Sequence, residues 1–447
     1  MIIAHRQMKY LVIAFFFLAG IVAGQDYTRS SETATTYYLI DSIAITGNDI
    51  TEPYIILEEL TFKSGDRINA EEMKFNRERI YSLGLFTRVE LIPTQKDSTT
   101  DITIRVEESW YIWPIPFIDF KDNDYEKIVF GMDITVNNFR GRNELLGFRF
   151  GAGYDTELKF RYNIPYLFKK EKISFLGELS YNKSVNKSQI AESIVGKEFE
   201  QKTVVAQIAI GKRLDLFDYI TTFVGFQFIE TPEYIPRISL REGERIDRVY
   251  YIGLQYLYDS RDLAQFPLQG RWGLLNFVTK GLDIDGVSYN ILHMDYKEFL
   301  PLWGDLNSKW RIAGRHAFGK VIPFYEYSFL GYSDRVRGHY YKKDEGHTLF
   351  ISSLELRHPI VKEWNIELDL PLIPSQLLTY RVAVFAQLFA DAGFTKFRNE
   401  GIKLKDLRKG WGLGLTFLVL PYNLGRIEVA FDEDFKSQFI LDIGVSF

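Results

Sequence analysis

The sequence predicts a transmembrane antiparallel β-barrel of about 16 strands preceded by one small α+β domain. Three observations carry this expectation. Aromatic residues make up 16% of the 447, with 36 Phe and 27 Tyr, while overall hydrophobic content is 46%, a balance that suits a barrel girdled by aromatic rings. Beyond the N-terminal segment no run of 18 uninterrupted apolar residues occurs, so a membrane crossing is made by strands, whose closure satisfies every backbone polar group in lipid. From Trp110 onward, strand-like runs are divided by polar or Gly-rich turns, and no convincing amphipathic helix is expected among them.

The elements follow in chain order. "MIIAHRQMKYLVIAFFFLAGIVAGQ" has a short basic segment (Arg6, Lys9), an apolar run over 11–22 and the small residues Ala23 and Gly24. Residues 1–24 therefore read as a secretory signal peptide, because the run is short of the roughly 20 residues a spanning helix needs. Cysteine is absent, which excludes lipoprotein anchoring, disulfides and thiolate metal sites. Residues 25–37 read as a linker.

Residues 38–109 carry a mixed pattern. "YLIDSIAITGN" alternates into a Gly-Asn turn and predicts a strand; "TEPYIILEEL" places Pro53 where a first helical turn accepts it. In "INAEEMKFNRERIYSLGLF", Asn69 and Glu72 form a capping box, Met73, Ile80 and Leu83 recur near helical period, and Gly84 closes the helix. Strands "TRVELIP" and "DITIRVEE" flank the polar turn "TQKDSTT". The expected order is strand, helix, helix, strand, strand, giving a three-stranded sheet whose edges can pair with a further extended strand.

Residues 110–447 are assigned to the barrel, a length that suits about 16 strands at about 10 residues each plus connections. In "RVAVFAQLFADAG", Val382, Val384, Ala386, Leu388 and Ala390 form a wholly apolar face, with Ala383, Phe385, Gln387, Phe389 and Asp391 opposite. In "SQFILDIGVSF", Phe439, Leu441, Ile443, Val445 and Phe447 are apolar while Gln438, Asp442 and Ser446 alternate with them. Apolar outward and polar inward is the period of a lipid-embedded barrel.

The chemistry of other classes is missing. Lys+Arg 54 against Asp+Glu 59 gives a formal charge of -5 without a dense basic run, which argues against nucleic acid. The six histidines have no metal spacing, "LGYSDR" lacks the full nucleophile elbow, and "FRGRNE" is too Gly-poor to cradle phosphate. Asp432, Glu433 and Asp434 read as a polar turn. A non-enzymatic protein without cofactor or metal is expected.

The phrases "SIAITGN", "SGDRINAEEM", "YSLGLFTRVEL" and "DITIRVEE" resemble a POTRA domain, the periplasmic module of outer-membrane assembly proteins. "NNFRGRNELLGFRFGAGY", "LYDSRDLAQFPLQGRWG", "VRGHY", "SSLELRHPI", "FADAG" and "GWGLGLTFLVLPYNLGRIEVAF" follow in the order of the BamA superfamily of outer-membrane assembly and translocation barrels, which the chain resembles over nearly its whole mature length. The resemblance implies that the loop bearing Val336, Arg337, Gly338 and Tyr340 folds into the lumen, with His339 where the family usually has Tyr or Phe. Arg337 is then the lumenal arginine, and Glu355 and Asp391 are its acceptors. Strand parity agrees, since both carboxylates lie opposite the apolar faces, and a charge in mid-lipid costs about 2 to 4 kcal/mol. An arginine fork grips a carboxylate in a fixed geometry that lysine does not reproduce.

The resemblance also implies location in the bacterial outer membrane with the POTRA domain in the periplasm. The leading function is assisting insertion of β-barrel proteins, with a weak seam between first and last strands and client reception at the POTRA domain. A dedicated translocator of the two-partner or autotransporter-assembly type is the alternative, and a passive porin a third. Implied partners are outer-membrane lipid, unfolded barrel or secreted clients, periplasmic chaperones and accessory lipoproteins. The alternating C-terminal residues Phe439, Leu441, Ile443, Val445 and Phe447 form the insertion signal by which the chain would itself be a client. Known assembly factors carry several POTRA domains, whereas this chain has room for one.

Overall fold

A computed structural model describes residues 36–121, 126–235, 238–241, 243–332, 334–339, 342–371, 373–401, 406–421 and 423–443. The expected signal peptide and most of the linker lie outside the described residues, as do Tyr340, Val445 and Phe447.

The small domain contains β1 (Tyr38–Thr46), α1 (Pro53–Leu57), β2 (Arg67–Ile68), α2 (Ala70–Ser82), β3 (Phe86–Lys96) and β4 (Thr99–Glu108). Its sheet runs β2-β1-β4-β3, with β1 and β4 parallel. The sequence expected three strands, and β2 is the correction. Gly65, at φ 93°, turns the chain back so that its N–H donates to the Ile40 carbonyl while the Ile40 N–H donates to Asp66. Two residues are too short to show alternation. The β3–β4 hairpin is also tighter than expected, reversing at Asp97 with φ 49°. α2 starts at the expected capping box: the Glu72 N–H donates to Asn69 Oδ1 at 2.9 Å, and the Asn69 N–H donates to the Glu72 carboxylate at 2.8 Å. Its inner face joins Ile55, Ile56, Phe86, Ile102 and Ile104 in a fully buried core.

The second unit is one 16-stranded antiparallel sheet. Its strands begin with β5 (Ile112–Phe120), β6 (Ile128–Phe139), β7 (Glu144–Gly153), β8 (Thr156–Phe168), β9 (Ile173–Val185) and β10 (Glu200–Arg213). They continue through β11 (Asp218–Glu230), β12 (Ile246–Asp259), β13 (Gly270–Lys280), β14 (Tyr289–Pro301) and β15 (Asn307–Gly319). A long connection carries the two-stranded ribbon of β16 (Ser328–Leu330) and β17 (Asp344–Gly346). The sheet resumes with β18 (Thr348–Glu367), β19 (Thr379–Lys396), β20 (Arg408–Leu420), β21 (Asn423–Asp432) and β22 (Ser437–Ile443). Each strand pairs with the next, β15 pairing directly with β18, and among the described residues no ladder joins β5 to β22. Leu179, Ile208, Leu254, Met294, Leu388, Leu413, Phe439 and Leu441 stand exposed on the outer face. Lys309, Glu355, Arg357, Gln387, Asp391 and Glu428 are buried within. Such an inversion of the soluble pattern is that of a barrel in lipid. Among the described residues no helix is long and apolar enough to cross a membrane.

Connections alternate between the two ends. One set faces the small domain; the other gathers into an apolar cap containing Phe199, Ile235, Ile238, Phe324 and Tyr327. The cap includes a helix that the sequence did not disclose, α3 (Gln189–Val195), another correction. The Ala191 N–H donates to Ser188 Oγ at 3.2 Å, and Gly196 ends the helix in the left-handed region. Seven residues span too few turns to display a helical period.

Candidate functional site in the barrel lumen

The connection between β15 and β18 folds into the barrel. Val336 plugs a small apolar cluster with Ala313, Leu330, Leu349 and Ile351, which fixes the loop before its charged residues act. Arg337 then grips Asp391 with two prongs: Nε donates to Oδ2 and Nη2 to Oδ1, both at 2.7 Å. The Arg337 backbone N–H donates to the same carboxylate at 3.1 Å. Nη1 lies 3.1 Å from Glu355 Oε1 and 3.0 Å from Glu428 Oε1, and Nη2 donates to Ser353 at 3.1 Å. The guanidinium sits 3.7 Å from the centre of the Phe389 ring. Every donor of the fork faces an acceptor in a site that is 4% exposed, and this saturation is what lets a buried charge persist.

The wall is shaped to receive the loop. Along β20, Trp411, Leu413 and Leu415 face outward while Gly410, Gly412 and Gly414 line the interior. A Cβ at Gly410 would stand 1.7 Å from the Arg337 carbonyl oxygen, and one at Gly412 would stand 2.6 Å from the Phe389 ring. Gly338 adopts φ 95° with its Cα against the Phe431 carbonyl. These glycines form a bed on which the loop backbone and the Phe389 ring lie flat.

Neighbouring residues extend the contact. Asp334 accepts from Arg311 at 3.1 Å, and Arg311 also grips Asp295. Arg335 Nη2 donates to Asp442 on β22 at 2.8 Å. His339 places Nε2 2.9 Å from the Lys409 carbonyl and 2.7 Å from Glu433. Six residues of one loop thereby touch β15, β18, β19, β20, β21, β22 and the β21–β22 turn.

At the end opposite the cap, the small domain docks onto the barrel mouth. Glu59 receives Arg79 of its own domain and Arg213 of β10, and Glu78 receives Arg381 of β19 in two bonds of 2.6 and 3.1 Å. Burial raises the Glu78 carboxyl, but Arg381 and Arg77 outweigh burial and hold it below the ordinary range. An outer ring of partly exposed pairs joins Glu52 to Arg142 and Lys169, Glu58 to Lys172, and Arg88 to Glu367. The β12–β13 turn ties the two units together. Phe266 packs 4.7 Å from Phe385 and 4.5 Å from the Arg357 guanidinium, and Ser82 bonds the backbone of Asp262 and Ala264.

A family model described as an Omp85 superfamily domain matches residues 138–447, and a surface antigen variable number repeat model, of the POTRA type, matches residues 38–109. The chain belongs to the Omp85 superfamily. It is an outer-membrane β-barrel with a periplasmic POTRA domain. One curated relative is the outer membrane protein assembly factor BamA of Nitratidesulfovibrio vulgaris (strain Hildenborough), 23% identical over 329 residues. That match covers 67% of this chain and 37% of the relative, so the chain spans little more than a third of it. Among solved structures, BamA from Haemophilus ducreyi lacking POTRA domains 1–3 aligns with a TM-score of 0.50 at 18% identity, covering 91% of this chain and 83% of that one. CdiB from Acinetobacter baumannii aligns with a TM-score of 0.50 at 13% identity, over 91% and 73% respectively. Both likenesses are likenesses of fold.

Within this Omp85 barrel, Arg337, Glu355 and Asp391 come together, Val336 and Gly338 shape the approach, and Phe439 and Leu441 face outward on β22. Sequence reasoning missed Glu428, the third carboxylate on Arg337, although "RIEVAF" alternates and places Arg426, Glu428 and Ala430 on one face. It also missed that Glu355 is shared, bonding Arg357 at 2.5 Å and facing Lys309 at 3.4 Å. The glycine stripe of "GWGLGLT" was legible as alternation; what it accommodates was not. Away from Arg337, β8 to β15 and Glu326 of the connection line a lumenal cavity of about 550 Å³ with both amides, such as Gln207, Gln227 and Asn276, and apolar residues, such as Val205, Phe223 and Ile291.

Proposed function

We propose that this protein assists the folding and insertion of β-barrel proteins into the outer membrane. The supporting observation is the open seam: 16 strands pair in sequence, yet among the described residues β5 and β22 share no ladder. An unpaired strand edge in lipid is costly, so an edge that pairs an incoming strand lowers the barrier to its insertion without an energy-carrying cofactor. Arg337 is the latch that holds the lumenal loop against the wall and keeps the last strands in place. The POTRA sheet offers a receiving edge at β3, whose Thr94, Gln95 and Lys96 are exposed, and backbone pairing there takes many client sequences.

A second reading, dedicated export of one secreted partner, is favoured by the partly polar lumenal cavity between β8 and β15. Depletion of the protein, followed by mass-spectrometric quantification of all outer-membrane barrels normalised to transcript, separates the two. A broad fall in barrel proteins is expected. Unchanged barrels with loss of one secreted or surface protein would establish the translocator instead.

A further inference from the structure

We infer that Arg335 is a positioning residue that clamps the terminal strand β22 to the lumenal loop through Asp442, so that loop and seam move together. The inference rests on the seam reading above and names the contact that controls it. Asp442 is an inward-facing residue of β22, directly opposite Arg426 in the β21–β22 ladder. It sits three residues beyond Phe439, which faces outward. Its carboxylate accepts from Arg335 Nη2 at 2.8 Å, and among the described residues Arg426 Nε and Nη2 have no hydrogen-bond partner.

The geometry makes this bond unlike the others of the loop. Arg337 and Asp334 engage interior strands, β18, β19, β21 and β15, each held by ladders on both sides. β22 has a ladder on one side only among the described residues, over just seven residue pairs with β21. To that ladder and the packing of Ile440 against Phe389 and Ala430, the charged hydrogen bond adds the tie that joins this strand to the loop. Arg335 is also two residues from Arg337, and Val336 between them is buried in the apolar cluster that anchors the loop. Withdrawal of the Arg337 latch then withdraws the β22 clamp in the same motion, freeing the inward row of the seam strand.

The test is hydrogen–deuterium exchange of the full chain in lipid nanodiscs. Arg335→Ala and the milder Asp442→Asn are each expected to speed exchange of residues 437–443 by about tenfold, leaving residues 348–357 of β18 unchanged. The charge-swapped pair Arg335→Asp with Asp442→Arg is expected to recover most of the protection. β22 exchange at the wild-type rate in both single variants overturns the clamp, and so does equal loosening of β18 and β22. Client insertion measured in parallel bears on the seam reading separately: faster β22 exchange with undiminished insertion keeps the clamp and removes the seam from the mechanism.

Discussion

At the scale of single residues, the interior of this barrel is governed by saturation of charge. Arg337 is worth keeping in a 4% exposed site only because Asp391, Glu355, Glu428 and Ser353 take its donors. Its removal leaves Asp391 and Glu428 without a cationic partner from the loop, with only the Ser353 and Gln387 side chains still donating to them among the described residues, while Glu355 keeps Arg357 and Lys309. Arg337→Ala is expected to destabilise the barrel by about 3–5 kcal/mol, read as a lower temperature for loss of heat-modifiable gel mobility. Lysine supplies a point charge without the fork, so Arg337→Lys should fail to restore the wild-type value. Gly410 tests the seat of the same loop. A methyl group there meets the Arg337 carbonyl at 1.7 Å, so Gly410→Ala should displace the loop, and the Gly410→Ala, Arg337→Ala pair should cost much less than the sum of the singles. Additive losses would show that loop and bed act independently.

At the scale of elements, the β12–β13 turn is the piece that joins POTRA domain and barrel. Phe266 is 1% exposed between Phe385 and Arg357, and truncating such a ring typically costs about 3–5 kcal/mol. Phe266→Ala should therefore loosen the turn and expose residues 260–269 to limited proteolysis before the barrel unfolds. In the same turn, burial pushes the Asp262 carboxyl up to about 6, while its Oδ1 accepts the Leu268 and Gln269 N–H groups. The folded state thus holds this proton more tightly than the unfolded chain does. The contribution is favourable below the ordinary carboxylate range and is lost as pH rises from that range through about 6. Asp262→Asn keeps the acceptor oxygen and mimics the protonated acid. It should raise the melting temperature relative to wild type at pH 7.5, with the gain vanishing near pH 4.

For the whole molecule, the outcome to explain is a barrel stoppered at both ends, by an apolar cap on one side and a docked POTRA domain on the other. The docking pairs fall into two classes. Glu59–Arg213 and Glu78–Arg381 have side chains at most 15% exposed, whereas the ring through Glu52, Arg142, Lys169, Glu58 and Lys172 is 30–49% exposed. Salt at 1 M shortens the screening length to about 3 Å and weakens the outer ring, but leaves the buried pairs largely intact. Because the chain has no native cysteine, a pair of introduced ones can carry dyes on POTRA domain and barrel. Energy transfer between them should stay constant from low to high salt in the wild type and fall in an Arg213→Ala, Arg381→Ala variant. A fall with salt alone would show that the exposed ring, not the buried pairs, holds the domain.

The sequence by itself determined the strand faces, the strand number of the barrel, and the two helices and three longer strands of the small domain, because alternation and capping are properties of neighbouring residues. The opposite faces of "RVAVFAQLFADAG" and the Asn69–Glu72 box are examples, and each stands as read. Parity also aimed Glu355 and Asp391 inward, and the family resemblance supplied Arg337 to meet them. Local pattern ran out where an element was too short to repeat, as in β2 and α3. It ran out again where a partner was distant, as with Arg337 and Glu428, 91 residues apart, or Arg335 and Asp442, 107 apart. Only the tertiary structure decided which of several inward charges meet, because strand pairing and the infolded loop bring together side chains that no local period relates.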